Sequence, residues 1–323
     1  MRVVNYNINN LIQNSFLIKN KDKIILIYDN TTKNIVKYFK KAIKKKSNKE
    51  IKLLKVKVSK IHGKDFSIQD RKIIKNYNLI LCLTKYSYAH SKTRLDLIKS
   101  ARFASMPGYS LKLLKNPALG YNFKKSDKVG KKLKKIFDNG KIVEIFSNNN
   151  KYKSVYYIKN RIANYCPGYI NKNGDLGSPP DSEINISPQE FFSNGKILIR
   201  DSVAVSQIGK IKNSFTIDLK DGYIESVSSK NKNLEKKIKN LFTGNKKKRI
   251  CAEIGIGLNS KSKVTGNMLT DEGAKGHLHL GFGSNFTVGG KNKIDFHVDL
   301  VTSNLEVFVD KRKIIKNNNF LIN

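Results

Sequence analysis

Hydrophobic and polar positions change rhythm part-way along the chain. Up to residue 122, short apolar runs alternate with stretches of helical periodicity. Lys23 to Tyr28 (KIILIY) is apolar without alternation, as in a strand buried on both faces. Asp29-Asn30-Thr31-Thr32 follows it as N-cap chemistry for a helix over Lys33 to Lys45. Ile51 to Val58, Asn78 to Leu83 and Arg102 to Met106 read as further strands, with helices over Asp70 to Asn76 and Ser91 to Ser100. This alternation predicts an α/β unit of three layers on a mainly parallel sheet, residues 1–122. No Gly-x-Gly-x-x-Gly follows the first strand, so a dinucleotide site is not supported.

From Asp127 to Phe137, Val129, Leu133 and Phe137 recur at helical spacing and bridge to a second part. Lys141 to Phe146, Ser154 to Ile158, Lys196 to Val205, Phe215 to Leu219 and Gly222 to Val227 read as strands, with a hairpin turn at Asp221-Gly222. A helix is expected over Leu234 to Phe242. Residues 168–188, rich in Gly, Pro, Ser and Asp, read as a long loop. The expectation is a larger, β-rich α+β domain over residues 123–323 that carries a metal site.

The charge changes this picture little. The formal net charge of +38 suggests a nucleic-acid partner, but only eight of the 63 cationic side chains are arginine. Lysine is spread over nearly every segment together with Asn and Ile, as AT-rich coding would produce, so nucleic acid is not an expected partner. Lys44-Lys45-Lys46 and Lys246-Lys247-Lys248-Arg249 read as solvated clusters. No run of about 18 apolar residues is present, and the N-terminus lacks the apolar core of a signal peptide. Three widely spaced cysteines make neither a disulfide framework nor a Cys-x-x-Cys knuckle. The expected location is the cytoplasm, without a membrane partner.

The candidate chemistry lies near the C-terminus. Ile294 to Val301 alternates, which places His297 and Asp299 on one strand face, and His277 and His279 share the same spacing. Glu253 sits in an otherwise apolar strand, where a carboxylate needs a partner or a metal. Imidazoles and carboxylates converging from several strands suit Zn, Mn, Co or non-haem Fe; residues paired with one another in the core are the alternative.

Ala252 to Asn259 (AEIGIGLN), Thr265 to Glu272 (TGNMLTDE), Gly276 to Asn285, Gly289-Gly290 and His297-Val298-Asp299 together resemble the aminopeptidase T/S family. This is the thermophilic leucyl-aminopeptidase family of metallopeptidases, here in its short branch. Residues 91–107 and 175–188 resemble it as well, so the likeness spans about residues 78–310. The resemblance implies two metal ions held by two Glu, two His and an Asp, with a Tyr at the site. Glu183 matches the first Glu and Glu253 the second; His279 matches the first His, and His297 with Asp299 the His-x-Asp pair. The Tyr position is Phe286 here, and a Phe cannot ligate, donate a proton or stabilise an oxyanion. The same superfamily includes 2,5-dihydroxypyridine 5,6-dioxygenase, a ring-cleaving Fe(II) enzyme that the chain resembles in length and in the His-x-Asp pair. His279, His297 and Asp299 form the two-His, one-carboxylate set such chemistry uses.

The expected function is a metal-dependent hydrolase in which metal-activated water attacks an N-terminal peptide bond of a peptide or small-molecule substrate. The alternatives are the Fe(II) dioxygenase and a non-catalytic, metal-stabilised or anion-binding protein. One or two divalent ions are expected: Zn, Co or Mn, or Fe(II) for the dioxygenase. Glu183, if not a ligand, shuttles a proton. His90, at the carboxyl edge of the parallel sheet, is a candidate base, and Arg94, His277 and Phe286 are candidate substrate contacts. Asp271 and Glu272 are expected in a solvated loop, and Cys251 on the same face as Glu253. The resemblance also implies a homo-oligomer.

Overall fold

A computed structural model of the chain describes residues 1–47 and 50–322. The chain divides into two compact units, Met1–Lys125 with Cys166–Pro180, and Ser126–Tyr165 with Asp181–Asn323. Residues 166–180 thus belong to the first unit, which differs from the contiguous division at 122/123 expected from the sequence. They return because Leu176–Gly177 pairs parallel to Arg102–Ser105 as an edge strand.

In the first unit, five parallel strands among the described residues run in the order Lys52–Lys55, Ile24–Tyr28, Leu79–Leu83, Arg102–Ser105, Leu176–Gly177. Every residue of Leu79–Leu83 is buried, as a strand covered on both faces requires. The helix Lys33–Ser47 buries Ile35, Val36, Phe39 and Ile43, one stripe at helical spacing. Ser67 and Ser91 cap the helices Ile68–Ile74 and Lys92–Asp96 through their side chains. A helix over Arg2–Asn14, outside the elements expected from the sequence, buries Val4, Ile8, Leu11 and Ile12 at helical spacing and is tied down by polar bonds. Asn7 Nδ2 donates to the Leu114 and Asn116 carbonyls, and Asn10 Nδ2 to those of Leu119 and Tyr121.

Arg102 fastens the N-terminal segment and the returning segment to the sheet. Its guanidinium pairs with Asp22 and donates to the carbonyls of Phe16 (2.8 Å) and Ile170 (3.1 Å). Both side chains of the ion pair are 3% exposed.

The second unit holds two sheets. One is antiparallel throughout, in the order Tyr223–Ser229, Phe215–Lys220, Asn194–Ile199, Tyr152–Tyr157, Ile142–Ser147, Glu306–Val309, Arg312–Lys316, Asn319–Phe320. The other runs Gly209–Lys210, Ser202–Val203, His297–Thr302, Leu278–Gly283, Cys251–Gly257, Glu183–Ile186, Asn164–Cys166. Ile145, Ile197 and Ile217 from the first sheet share one core with Ile184, Ile254, Leu280 and Leu300 from the second. The helices Asp127–Asn139 and Lys232–Leu241 add Leu133, Phe137 and Ile238.

Two expectations are corrected here. The expected strand over 196–205 is two strands in different sheets, separated at Arg200-Asp201. The expected loop over 168–188 contains Glu183–Ile186, buried at every position. Its Ile184 and Ile186 enter the core while Glu183 and Asn185 take the opposite face, so this is a strand whose polar half belongs to the site.

Among the described residues, no helix is long and apolar enough to cross a membrane. Replacing Arg102 with Ala leaves Asp22 buried without its cation, so Arg102→Ala is expected to destabilise the first unit by about 3–5 kcal/mol. Urea unfolding followed by circular dichroism checks this; an unchanged midpoint would show that the pair is dispensable.

Candidate metal centre

Four antiparallel strands, Glu183–Ile186, Cys251–Gly257, Leu278–Gly283 and His297–Thr302, lie side by side. Their alternate residues separate chemically. Ile184, Ile254, Ile256, Leu278, Leu280, Phe282, Val298 and Leu300 face the core. The opposite face carries Glu183, Glu253, His279, His297 and Asp299, interleaved with glycines.

The glycines create the space for the site. Gly255 pairs across the ladder with His279. A Cβ on Gly255 would lie 1.9 Å from His279 Nε2, so the imidazole lies over a bare backbone. Gly281 stands between Glu253 and Asp299, opposite both. A Cβ there would come within 2.8 Å of His297 Nε2 and of Glu253 Cβ. Gly257 is bare because the backbone of 272–274 crosses it, with Ala274 O only 2.2 Å from where a Cβ would stand. These positions require glycine for close approach.

The ligand-type atoms form two trios that share one carboxylate, Glu183–Glu253–His279 and Glu253–His297–Asp299. Within each trio the atoms lie within 4.8 Å of one another. His279 Nε2 is 3.0 Å from Glu183 Oε2 and 3.7 Å from Glu253 Oε1. His297 Nε2 is 3.4 Å from Glu253 Oε2 and 3.2 Å from Asp299 Oδ1. Glu183, Glu253, Asp299 and His279 are buried, whereas the His297 side chain stays one-third exposed. Asn185 Nδ2 donates to Glu183 Oε1 (2.7 Å), which leaves the other oxygen toward His279.

Two further carboxyl groups border the trios, Asp181 and Glu272. Asp181 Oδ1 and Glu272 Oε1 are buried yet accept no hydrogen bond among the described residues. Buried acceptors without donors are expensive unless something cationic completes them. The donor set is oxygen and imidazole nitrogen, which suits Zn, Mn, Co or Fe(II). The residues present therefore fit divalent cations.

Electrostatics points the same way. Burial raises Asp181 and Glu272 well above the ordinary carboxyl range and raises Glu253, with repulsion from neighbouring carboxylates adding to it. Burial opposes the charged form of both imidazoles but is overcome. Glu183, Glu253 and Asp299 hold His279 well above its usual value, and Asp299 and Glu253 hold His297 at about 10. Burial also works against ionised Asp299, yet His297 draws it down to about 2. Without cations the cluster holds itself together by keeping protons, and divalent ions compete for those places.

Asp271 and Glu272 do not lie in a solvated loop. Asp271 is fully buried in the short helix Met268–Asp271, where its carboxylate accepts from the amides of Thr265 (2.7 Å) and Gly266 (3.0 Å). Glu272 follows it and is directed at Asp299. Cys251 does not share Glu253's face. A register shift between Cys251 and Glu253 pairs Cys251 with Phe282 and turns its thiol into the core, where burial pushes it up to about 12.

The remaining candidates lie outside the trios. His90 is exposed in the turn before Lys92–Asp96, in the first unit. Arg94, in the same unit, donates from Nε to the Ala89 carbonyl (2.8 Å). His277 Nδ1 is within 3.2 Å of Asn318 Nδ2 and 3.3 Å of the Lys275 carbonyl. Phe286 is 55% exposed, with the Lys293 ammonium 5.2 Å from its ring centre.

Two predictions follow from this geometry. Gly255→Ala displaces the His279 ring, so zinc affinity is expected to fall about 10–100-fold with far-UV circular dichroism unchanged. Competition against a chromophoric chelator measures it. The second concerns pH. Charged His297 contributes stability that is complete below its ordinary value near 6.5 and is lost as pH rises through about 10. Ionised Asp299 contributes above its ordinary value near 3.8 and is lost as pH falls through about 2. The raised carboxyls Asp181, Glu253 and Glu272 favour the fold while protonated and oppose it as pH rises past them. Metal-free protein should therefore melt highest in the acidic range, about pH 4–6, and zinc should raise Tm more at pH 8 than at pH 5. Calorimetry with and without zinc checks the sign, and a larger zinc shift at pH 5 would contradict it.

No family model and no curated protein sequence matches the chain. Solved structures do. The 2,5-dihydroxypyridine dioxygenase from Pseudomonas putida KT2440 aligns with a TM-score of 0.82 at 14% identity, over 99% of this chain and 97% of its own. AmpT from Thermus thermophilus aligns with a TM-score of 0.65 at 10% identity, over 99% of both chains. One is a dioxygenase and the other an aminopeptidase, so both neighbours are enzymes. The fold is the one these two enzymes share, with a parallel sheet beside larger antiparallel ones.

Proposed function

We propose that this chain is a metal-dependent hydrolase of the aminopeptidase type, acting on an amide at the N-terminal end of a peptide or a related small molecule. The observation that carries the reading is the sharing of Glu253 by two ligand trios, which provides adjacent places for two divalent ions. The charge balance supports it. Asp181, Glu183, Glu253, Glu272 and Asp299 supply five carboxyl groups against two imidazoles, more than one divalent ion neutralises.

Bound divalent ions would supply Lewis acidity and a water acidic enough to be a nucleophile near neutral pH. Glu183 and His279 would hold one place, His297 and Asp299 the other, with Glu253 common to both. The Ser284 carbonyl, 2.8 Å from His297 Nδ1, fixes that ring with Nε2 toward the carboxylates. Once Glu183, Glu253 and Asp299 serve as ligands, Asp181 and Glu272 are the carboxyls left to take a proton from the nucleophile and return it to the leaving amine. Phe286 brings no hydroxyl, so the chain offers no phenol to a developing oxyanion at that position.

A second reading is the mononuclear Fe(II) dioxygenase, favoured by the higher TM-score of the dioxygenase match and by Phe286. It requires His279, His297 and Asp299 to act as one set, whereas His279 falls in one trio and the other two in the second.

The test is anaerobic purification and elemental mass spectrometry of wild type and Asp299→Ala, followed by assays on aminoacyl anilides and on dihydroxylated pyridines with an oxygen electrode. Two ions per chain and oxygen-independent amide cleavage are expected. Glu253→Gln should reduce that cleavage by about 100-fold or more, beyond what changes outside the ligand set cause. One Fe per chain with oxygen uptake on a ring substrate would replace this reading with the dioxygenase.

A further inference from the structure

The loop joining the His279 strand to the His297 strand, residues 284–296, is organised around one buried amide. Asn285 is fully buried. Its Nδ2 donates to Ser187 Oγ (2.9 Å) and Glu190 Oε1 (2.8 Å), and its Oδ1 accepts from the Asn292 amide (2.8 Å). Glu190 Oε1 also accepts from the Lys291 amide (2.6 Å). Arg161 closes the ring with one arm on Glu190 Oε2 and the other on the Gly289 carbonyl. The Arg161 and Glu190 side chains are only 13% and 11% exposed. Gly290 must be bare here, since a Cβ would stand 1.9 Å from Asn285 Cγ.

None of these residues belongs to a ligand trio. What the loop delivers to the site is one carbonyl. Ser284, next to Asn285, donates from its amide to Phe296 O (2.8 Å) and from Oγ to Asn292 O (3.2 Å), and its own carbonyl lies 2.8 Å from His297 Nδ1. A carbonyl only accepts, so Nδ1 carries the proton and Nε2 is the nitrogen offered between Glu253 and Asp299. His279 has no such support, because its Nδ1 is buried without a hydrogen-bond partner among the described residues.

We infer that Arg161, Glu190 and Asn285 are positioning residues that lock His297 with Nδ1 protonated, and so set the affinity of the Glu253–His297–Asp299 trio independently of the Glu183–Glu253–His279 trio. This rests on the metal-binding reading above. Removing the Glu190 carboxylate strands the Lys291 amide, one Asn285 donor and the Arg161 cation, and the loop can no longer hold the Ser284 carbonyl in place. A Gln at 190 keeps an oxygen for the Lys291 and Asn285 donors.

The test is zinc titration by chelator competition on full-length wild type, Asp299→Ala, Glu190→Ala and Glu190→Gln. Wild type should bind in two steps, and Asp299→Ala identifies the step that belongs to its trio. Glu190→Ala should weaken that step by about 10–100-fold and leave the other unchanged, with Glu190→Gln close to wild type. If Glu190→Ala does not fold, Arg161→Ala replaces it, since Glu190 then keeps its two amide donors while Gly289 is released. A folded Glu190→Ala with both steps unchanged, or with both weakened equally, overturns the inference. A wild type that binds no zinc overturns the metal reading and this inference with it, a result distinct from two-step binding that ignores Glu190.

Discussion

The crowding of three carboxylates and two imidazoles on one face of a buried sheet, with Asp181 and Glu272 at its border, is the constraint on which the second unit's construction turns. Two like charges about 4 Å apart repel by about 4 kcal/mol at the effective dielectric of a protein surface, and by more where water is excluded. Such a face persists only if positive charge stands among the carboxylates. The charged imidazoles, with Asp181 and Glu272 held well above the ordinary carboxyl range, perform that task in the metal-free chain. This arrangement is an expedient, since it leaves buried oxygens of Asp181 and Glu272 without donors.

The sheet tolerates this face because its other side is largely apolar. Ile184, Ile254, Leu280 and Leu300 anchor the four strands in a core that also takes side chains from the unit's other sheet. The register is thereby specified: a one-residue slip of any strand would exchange a carboxylate or an imidazole for an apolar chain on both faces. Glycine then sets the spacing on the polar side. Bare backbone at Gly255 and Gly281 leaves the room that the two imidazole rings occupy.

Much of this was legible in the residues. Period two places His297 beside Asp299 and isolates Glu253 among apolar neighbours, and the structure brings both together with Glu183 and His279. The parallel unit was legible from its alternating helices and continuous apolar strands. What escaped has physical causes. The strand Glu183–Ile186 is short, and its Ser, Pro and Asp flanks give it the composition of a loop. The Cys251–Glu253 register shift inverts a face that strict alternation would preserve. Leu176–Gly177 joins its sheet through pairing with a strand some seventy residues earlier, a long-range contact without local signature. Asp181 and Glu272 look like solvated acids until the turn at Gly273 packs against Asp181, where a Cβ would be 3.0 Å from Asp181 Oδ1. The purpose of Gly255 and Gly281 shows only when the strands are paired.

The same geometry bears on how one fold supports two reaction classes. A single iron with open positions for oxygen and substrate needs few carboxylates, because each added anion stabilises the cation and offers one more group to fill a position meant for the reactants. A pair of divalent ions around a shared carboxylate needs many, to hold two like charges near each other. Here the carboxylates are abundant, and Glu253 reaches toward both imidazoles with different oxygens, Oε1 at 3.7 Å from His279 and Oε2 at 3.4 Å from His297. A carboxylate divided in this way is poorly suited to a single centre and well suited to a bridge. Phe286 works in the other direction, by removing a phenol that the resemblance to the peptidases would supply. On the proposed hydrolase reading, the chain has one neutral proton donor fewer, and the proton chemistry falls to the carboxyl groups that flank the metal ligands.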